Sequence, residues 1–204
     1  MENLKNFNER ENISSKEIEL QLKNLGIIDS KLLKGYVLDI GAGDGKLDKF
    51  LSQNTNLKIT ALDENPPDKK EFKILNGDVR NLPFEDESYD IVISHASIPN
   101  IFIGLYSFEY PELSEKEIKN AIEKSFSEII RVLKPKGEAI LAPVAMTENY
   151  DSQKIIKQLI LKEIEKLRSN GYQVKNDFIR TERNPKNKEK TDFYRITIKK
   201  YIDK

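Results

Sequence analysis

Val37-Leu38-Asp39-Ile40-Gly41-Ala42-Gly43-Asp44-Gly45 reads as a short buried strand that ends in a carboxylate and runs into three glycines at alternate positions. Valine, leucine and isoleucine bounded by glycine suit a strand covered on both faces, as in a parallel sheet. Glycines at the strand's carboxyl end permit a tight turn and let a ligand approach the main chain without meeting a Cβ. A helix after Gly45 would aim its N-terminus at the same spot, where open α/β sheets bind nucleotide-like ligands.

Spacing separates the motifs that such a loop could represent. The dinucleotide fingerprint G-x-G-x-x-G needs a third spaced glycine, but here the pattern is G-x-G-x-G followed by Lys46-Leu47-Asp48. A phosphate-cradling loop needs four residues between its glycines and then Lys-Ser or Lys-Thr. Gly41 and Gly45 enclose three residues and Lys46 precedes Leu47, so that reading fails twice. On this segment alone, a glycine-rich turn of an unrelated α/β fold stays open.

The rest of the chain alternates strand and helix patterns. Ser14 to Leu33 is expected to be helical, opened by the capping box Ser14–Glu17, with Ile18, Leu22 and Leu25 on one apolar face. Strands are expected at Tyr36–Ile40, Lys58–Leu62, Phe72–Leu75, Tyr89–Ser94, Glu138–Ala142, Tyr172–Ile179 and Phe193–Lys200. Helices are expected at Leu47–Gln53, from the capping box Ser114–Glu117 to about Leu133, and at Asp151–Ser169. Lys134-Pro135-Lys136-Gly137 should end the second of these. Between Asp63 and Phe72 the spacing is too short for a crossover helix, and Pro66-Pro67 oppose one, so that helix should be absent or reduced. Such alternation argues for an α/β sheet with mostly right-handed crossovers. Arg180, Arg183, Lys186, Lys188 and Lys190, interspersed with Glu182, Glu189 and Asp192, read as a solvated connection.

At 204 residues the chain suits one domain over 1–204, with 1–34 as an N-terminal helical cap. Lys plus Arg equals Asp plus Glu at 34 each, so nothing global argues for wrapping nucleic acid or an anionic membrane. Without cysteine there are no disulfides, thiolate chemistry or sulfur-based zinc sites, and the single histidine, His95, rules out a histidine-rich metal site within one chain. No apolar signal core or membrane-length run is present, and a soluble cytoplasmic protein is expected.

Five segments then occur in a telling order: Asp39-x-Gly41-x-Gly43-x-Gly45, Ala61-Leu62-Asp63, Asn76-Gly77-Asp78-Val79, Asn81 to Ser94, and Arg131-Val132-Leu133-Lys134-Pro135-Lys136-Gly137. Together they resemble the motifs of class I S-adenosylmethionine (SAM)-dependent methyltransferases, over a span from about residue 14 to the C-terminus. The resemblance implies a Rossmann-like open α/β sheet of about seven strands, mostly parallel with an antiparallel last strand, and helices on both faces. It implies SAM as cofactor, with Asp39, Gly41, Ala42, Gly43 and Gly45 around its amino-acid half. Asp63 would accept both ribose hydroxyls with Glu64 beside it, Asp78 would take the adenine amino group, and the Val79 amide would meet the ring. Ser94 also falls among the implied cofactor residues. Competing structural readings are a solvated strand end for Asp63, a turn bonding its own backbone for Asp78, and loop support for Asp39.

Acceptor chemistry is expected beyond strand 4. His95 is a candidate base, because its unperturbed pKa is near neutrality, or else a packing and hydrogen-bonding residue beside the cofactor. Ser97, Asn100, Tyr106 and Tyr110 are candidate acceptor contacts, in a pocket between the initial helix and residues 95–110. The apolar segment from Ile101 to Pro111 covers that pocket, buries a sheet edge or forms a homodimer contact. The Asn/Asp-Pro-Pro-aromatic motif that some amino-group methyltransferases carry after strand 4 is missing here, which argues against nucleic-acid bases and glutamine amides and for a small-molecule acceptor. Alternatives are a non-catalytic SAM-binding scaffold and a methyltransferase acting on protein or RNA. A nicotinamide-dependent oxidoreductase is disfavoured by the missing third spaced glycine.

Overall fold

The computed structural model describes residues 15–98, 114–146, 148, 151–186 and 188–201. Ser14, Asn100, Tyr106 and Tyr110 lie outside them. Residues 15–25 form helix α1. The sheet strands are β1 (Tyr36–Ile40), β2 (Lys58–Asp63), β3 (Ile74–Asn76), β4 (Tyr89–His95), β5 (Leu133–Met146), β6 (Gln173–Arg183) and β7 (Lys190–Lys199). Helices α2 (Lys46–Asn54), α3 (Glu115–Val132) and α4 (Asp151–Ser169) connect them. The order is β3-β2-β1-β4-β5-β7-β6, parallel through β5, with β7 antiparallel to both of its neighbours. This is the expected seven-stranded, mostly parallel open sheet, and residues 64–73 contain no helix between β2 and β3.

The period of two in β1 sorts its side chains between two cores. Leu38 and Ile40 join Val92, Phe126, Ile129, Leu141 and the apolar face of α4. Val37 points the other way, into a cluster with Leu25 of α1, Leu47 and Leu51 of α2, Ile93 and Ala142. Asp39 therefore falls on the α1/α2 face, although only 2% of it is exposed. Among the described residues, no helix is long and apolar enough to cross a membrane.

Three expected boundaries are corrected. Helix α1 stops at Leu25 rather than Leu33, because Gly26 at φ +73° closes it. Its N–H bonds Lys23 O, and Ile27 N–H bonds Leu22 O, the paired bonds of a Schellman stop. A 3₁₀ turn at Ser30–Leu32 follows. Strand β5 begins at Leu133 instead of Glu138. Lys134–Gly137 form a bulge with Lys136 at φ +67°, in which Lys136 N–H donates to Lys200 O and Lys200 N–H donates to Gly137 O, just past the end of β7. The polar stretch from Arg180 to Lys190 is strand at both ends, through Arg183 and from Lys190, which shortens the connection to 184–189. Antiparallel pairing satisfies its backbone whatever its charge, and side chains add to it. Thr181 Oγ1 bonds Asp192 at 2.6 Å, Arg180 stacks over Phe193, and Phe178 meets Tyr194 edge-on.

Arg131 secures the route from β3 to β4. Its guanidinium donates to Leu82 O, Phe84 O, Asp86 and Glu128, which holds residues 82–86 against the end of α3. The Arg-Val-Leu-Lys-Pro junction is thus a structural latch.

Candidate functional site

The glycine loop leaves β1 and is pinned to the end of β2. Gly41 and Ala42 donate to Leu62 O at 2.8 and 3.2 Å, and Gly43 N–H donates to Asp63 Oδ2 at 2.9 Å. Gly41, Gly43 and Gly45 all have left-handed backbones, with φ of 77°, 59° and 75°. Two of them also differ in what surrounds them. A Cβ on Gly43 would meet nothing within 4 Å, whereas one on Gly45 would lie 2.7 Å from the Phe72 Cβ. Gly43 therefore faces open space, and Gly45 is packed against the β2–β3 connection. That connection folds over the loop's outer side, through Glu71 N–H to Asp44 O at 2.7 Å and a Lys49–Glu71 ion pair.

Two hollows meet at Gly41. One, of about 330 Å³, is lined by Glu17 and Gln21 of α1, by Asp39, Ala42, Gly43 and Lys46, and by His95. The other, of about 90 Å³, is lined by Leu62, Asp63, Glu64, Val79, Ser97 and Ile98. Ser97 packs on Gly41 where a side chain would otherwise stand. A larger hollow of about 400 Å³ lies between the end of α1 and β5, β6 and β7, and shares no lining residue with either hollow at Gly41. None of the unpartnered buried polar atoms lines it, so the chemistry points to the pair at Gly41.

The acidic residues occupy distinct environments. Asp63 accepts from Gly43 N–H and Asn65 N–H, one bond at each carboxylate oxygen. Asp78 accepts from Arg80 N–H at 2.7 Å and pairs with the Arg80 guanidinium, which also reaches Glu64. Burial pushes the Asp78 pKa up, but the Arg80 bonds and charge together outweigh it and hold the carboxyl below its usual range. Asp39 has an unpartnered Oδ1 and a pKa raised well above normal, first by burial and then by the negative charges of Asp48 and Asp63.

The fourth-strand residues divide by role. Ser94 is fully buried, with its hydroxyl donating to Ile40 O and accepting from Ile98 N–H, so it ties β1 to the chain beyond β4. His95 lines the larger of the two hollows at Gly41, and its Nε2 meets Asn24 Nδ2 at 3.1 Å. Arg180, which can only donate, bonds Asn24 Oδ1 at 2.8 Å. Asn24 must then donate to His95, which makes Nε2 the acceptor and leaves the ring proton on Nδ1. Burial lowers the His95 pKa, and the Arg180 charge lowers it further.

Sequence reasoning missed Asn24, Asp48 and Arg180. Asp48 had a usable signal, a carboxylate four residues along from Asp44 on an otherwise apolar helix face. Asn24 and Arg180 had none, because they meet only through the fold.

A family model described as a methyltransferase domain matches residues 38–141, just over half of the chain. Among curated proteins none matches. The chain is similar to several solved structures. Phosphoethanolamine N-methyltransferase 2 of Haemonchus contortus, in complex with SAM, is 16% identical at a TM-score of 0.53, over 92% of this chain and 53% of that one. The [4+2]-cyclase SpnF is 14% identical at 0.53, over 92% and 81%. A SAM-dependent methyltransferase from Methanosarcina mazei is 15% identical at 0.49, over 87% and 98%. The chain belongs to the class I SAM-dependent methyltransferases, and SAM is its cofactor.

The residues present fit that cofactor. The open face of Gly43 admits a ligand against the main chain, and the orphaned Asp39 Oδ1 and Gln21 Oε1 offer acceptors to an ammonium group. Leu62, Val79 and Ile98 give the smaller hollow an apolar lining suited to a purine.

Proposed function

We propose that this protein transfers a methyl group from SAM to a neutral or cationic small molecule held between α1 and His95. The observation that carries the reading is the cavity continuous with the glycine loop, walled by Glu17, Asp39 and Asp44. Its one lysine, Lys46, is already bridged to Asp44 at 2.8 Å and Glu17 at 3.2 Å. Such a wall repels phosphate and so disfavours nucleic acid as acceptor.

When bound, SAM supplies an activated sulfonium methyl, so the chain needs mainly to hold two partners in line. Asp39 and the glycine loop would hold the amino-acid half. Asp63, whose oxygens each keep a free lone pair, would hold the ribose, and Val79 with Ile98 the adenine. Asp78 is engaged by Arg80 and would reach the adenine amino group through its remaining acceptor capacity. His95, neutral and protonated on Nδ1, serves the acceptor as a hydrogen-bond donor; with Nε2 already engaged it is poorly placed to act as a base. Ser97, at the junction of the two hollows, is a further acceptor contact.

Titration calorimetry with SAM tests the reading through two glycines. Gly43→Ala should cost at least tenfold in SAM affinity while stability falls by only about 1–2 kcal/mol, the penalty for a left-handed alanine. Gly45→Ala should instead lose more stability, because its Cβ collides with Phe72. Normal SAM binding by Gly43→Ala would overturn the assignment. Formation of S-adenosylhomocysteine with amine and hydroxyl acceptors then separates transfer from binding alone.

A further inference from the structure

Asp39, assigned above to SAM's amino-acid half, forms a buried acid pair with Asp48, which that reading leaves without a role. Asp48 stands in the first turn of α2 with no exposed surface, and Asp39 is 2% exposed on the strand face that α2 covers. The two carboxyl groups lie within hydrogen-bonding reach of each other. Oδ1 of Asp39 and both oxygens of Asp48 have no donor. Two ionised carboxylates facing each other without donors would be strongly repelled in a buried site, and a shared proton removes that repulsion. The groups facing the pair make this more necessary. Asp63 from β2 and Asp44 from the loop add negative charge, Glu17 faces the same cavity from α1, His95 from β4 is neutral, and Lys46 is bridged between Asp44 and Glu17.

We infer that Asp48 is a positioning residue that shares a proton with Asp39, and that the pair releases this proton when the ammonium group of SAM's amino-acid half binds at Asp39. The inference rests on the SAM reading above. An incoming cation replaces the proton as the counter-charge, and the proton leaves to solvent, so charge balances without a further reactant. Asp48 is pushed up to about 7, chiefly by burial, and Asp39 is raised with it. Because the two interact, the value belongs to the pair. On the acid side the empty pair holds a proton that binding must release, and less remains to be released as pH rises through the pair's raised titration. SAM affinity therefore rises with pH toward neutrality, about tenfold for each unit by which the ligand lowers the pair's pKa.

Calorimetry of SAM binding in buffers of different ionisation enthalpy counts the protons. Wild type near pH 6 should release up to one proton per SAM, and S-adenosylhomocysteine, which keeps the ammonium, should do the same. Methylthioadenosine, which lacks the ammonium, should release none. Asp48→Asn donates an N–H to Asp39 in place of the proton, so its SAM affinity should be flat with pH and stay at the acid-side level of wild type. A second readout needs no ligand. Native pKa values raised above about 4 give stability that is full below the unfolded pKa and lost as pH rises toward about 7. Asp48→Asn should flatten that part of the melting-temperature profile. SAM binding without proton release in wild type, or an unchanged pH profile in Asp48→Asn, overturns the inference and leaves the SAM reading standing. No SAM binding at all overturns both.

Discussion

Asn24 connects three elements through one amide: it accepts from Arg180 of β6, donates to His95 of β4, and sits itself in the last turn of α1. Nothing in its neighbourhood along the chain announces this, since Leu22 and Leu25 beside it follow ordinary helical packing. The amide fixes the tautomer of His95, which has a direct consequence. Asn24→Asp would place a carboxylate between Arg180 and the imidazole and favour a proton on Nε2. The His95 pKa should then move from below its ordinary value of 6.5 to above it. His95 is the only histidine in the chain, so its imidazole resonance can be followed by NMR without assignment. A pKa that stays depressed in the folded variant would show that Asn24 does not set the proton's position. The native depression also fixes the sign of a stability effect: it is present above about pH 6.5 and is lost as pH falls through the lowered value.

Helix α3 was legible at the scale of elements because its start signal is local. Ser114 Oγ accepts from Glu117 N–H at 3.3 Å, and Glu117 Oε2 accepts from Ser114 N–H at 2.7 Å, which is the capping box expected from Ser-x-x-Glu. Ser114→Ala should lower stability by about 0.5–2 kcal/mol in urea unfolding without changing SAM affinity, because the cap is far along the chain from the glycine loop. Helix α1 was harder to delimit. Apolar residues recur beyond Leu25 and extend its pattern, but Gly26 adopts a left-handed conformation and ends the helix there. The β6–β7 hairpin was hardest, since charged residues from Arg180 onward hide strands whose stability comes from pairing with each other.

For the whole molecule, the prediction concerns how distant segments respond together. Glu17 and Gln21 of α1 line the same hollow as Gly41 and Gly43, although some twenty residues separate them along the chain. SAM should therefore slow hydrogen exchange both at Gly41–Gly45 and within residues 15–25, and protection confined to the glycine loop would count against α1 as a wall of the site. The sequence by itself determined the alternation of strands and helices, the glycine loop, the acidic residues after β2 and β3 at Asp63 and Asp78, and the missing crossover helix before β3. Each of these is written in residues a few positions apart, where backbone geometry and periodicity act directly. Only the tertiary structure decided that Asp39 meets Asp48, that Asn24 joins His95 to Arg180, and that Arg131 latches residues 82–86. Those contacts depend on which faces of separate elements are brought together by packing. A buried charge or amide gains its role from the partner it meets there, and that partner is not specified by its neighbours along the chain.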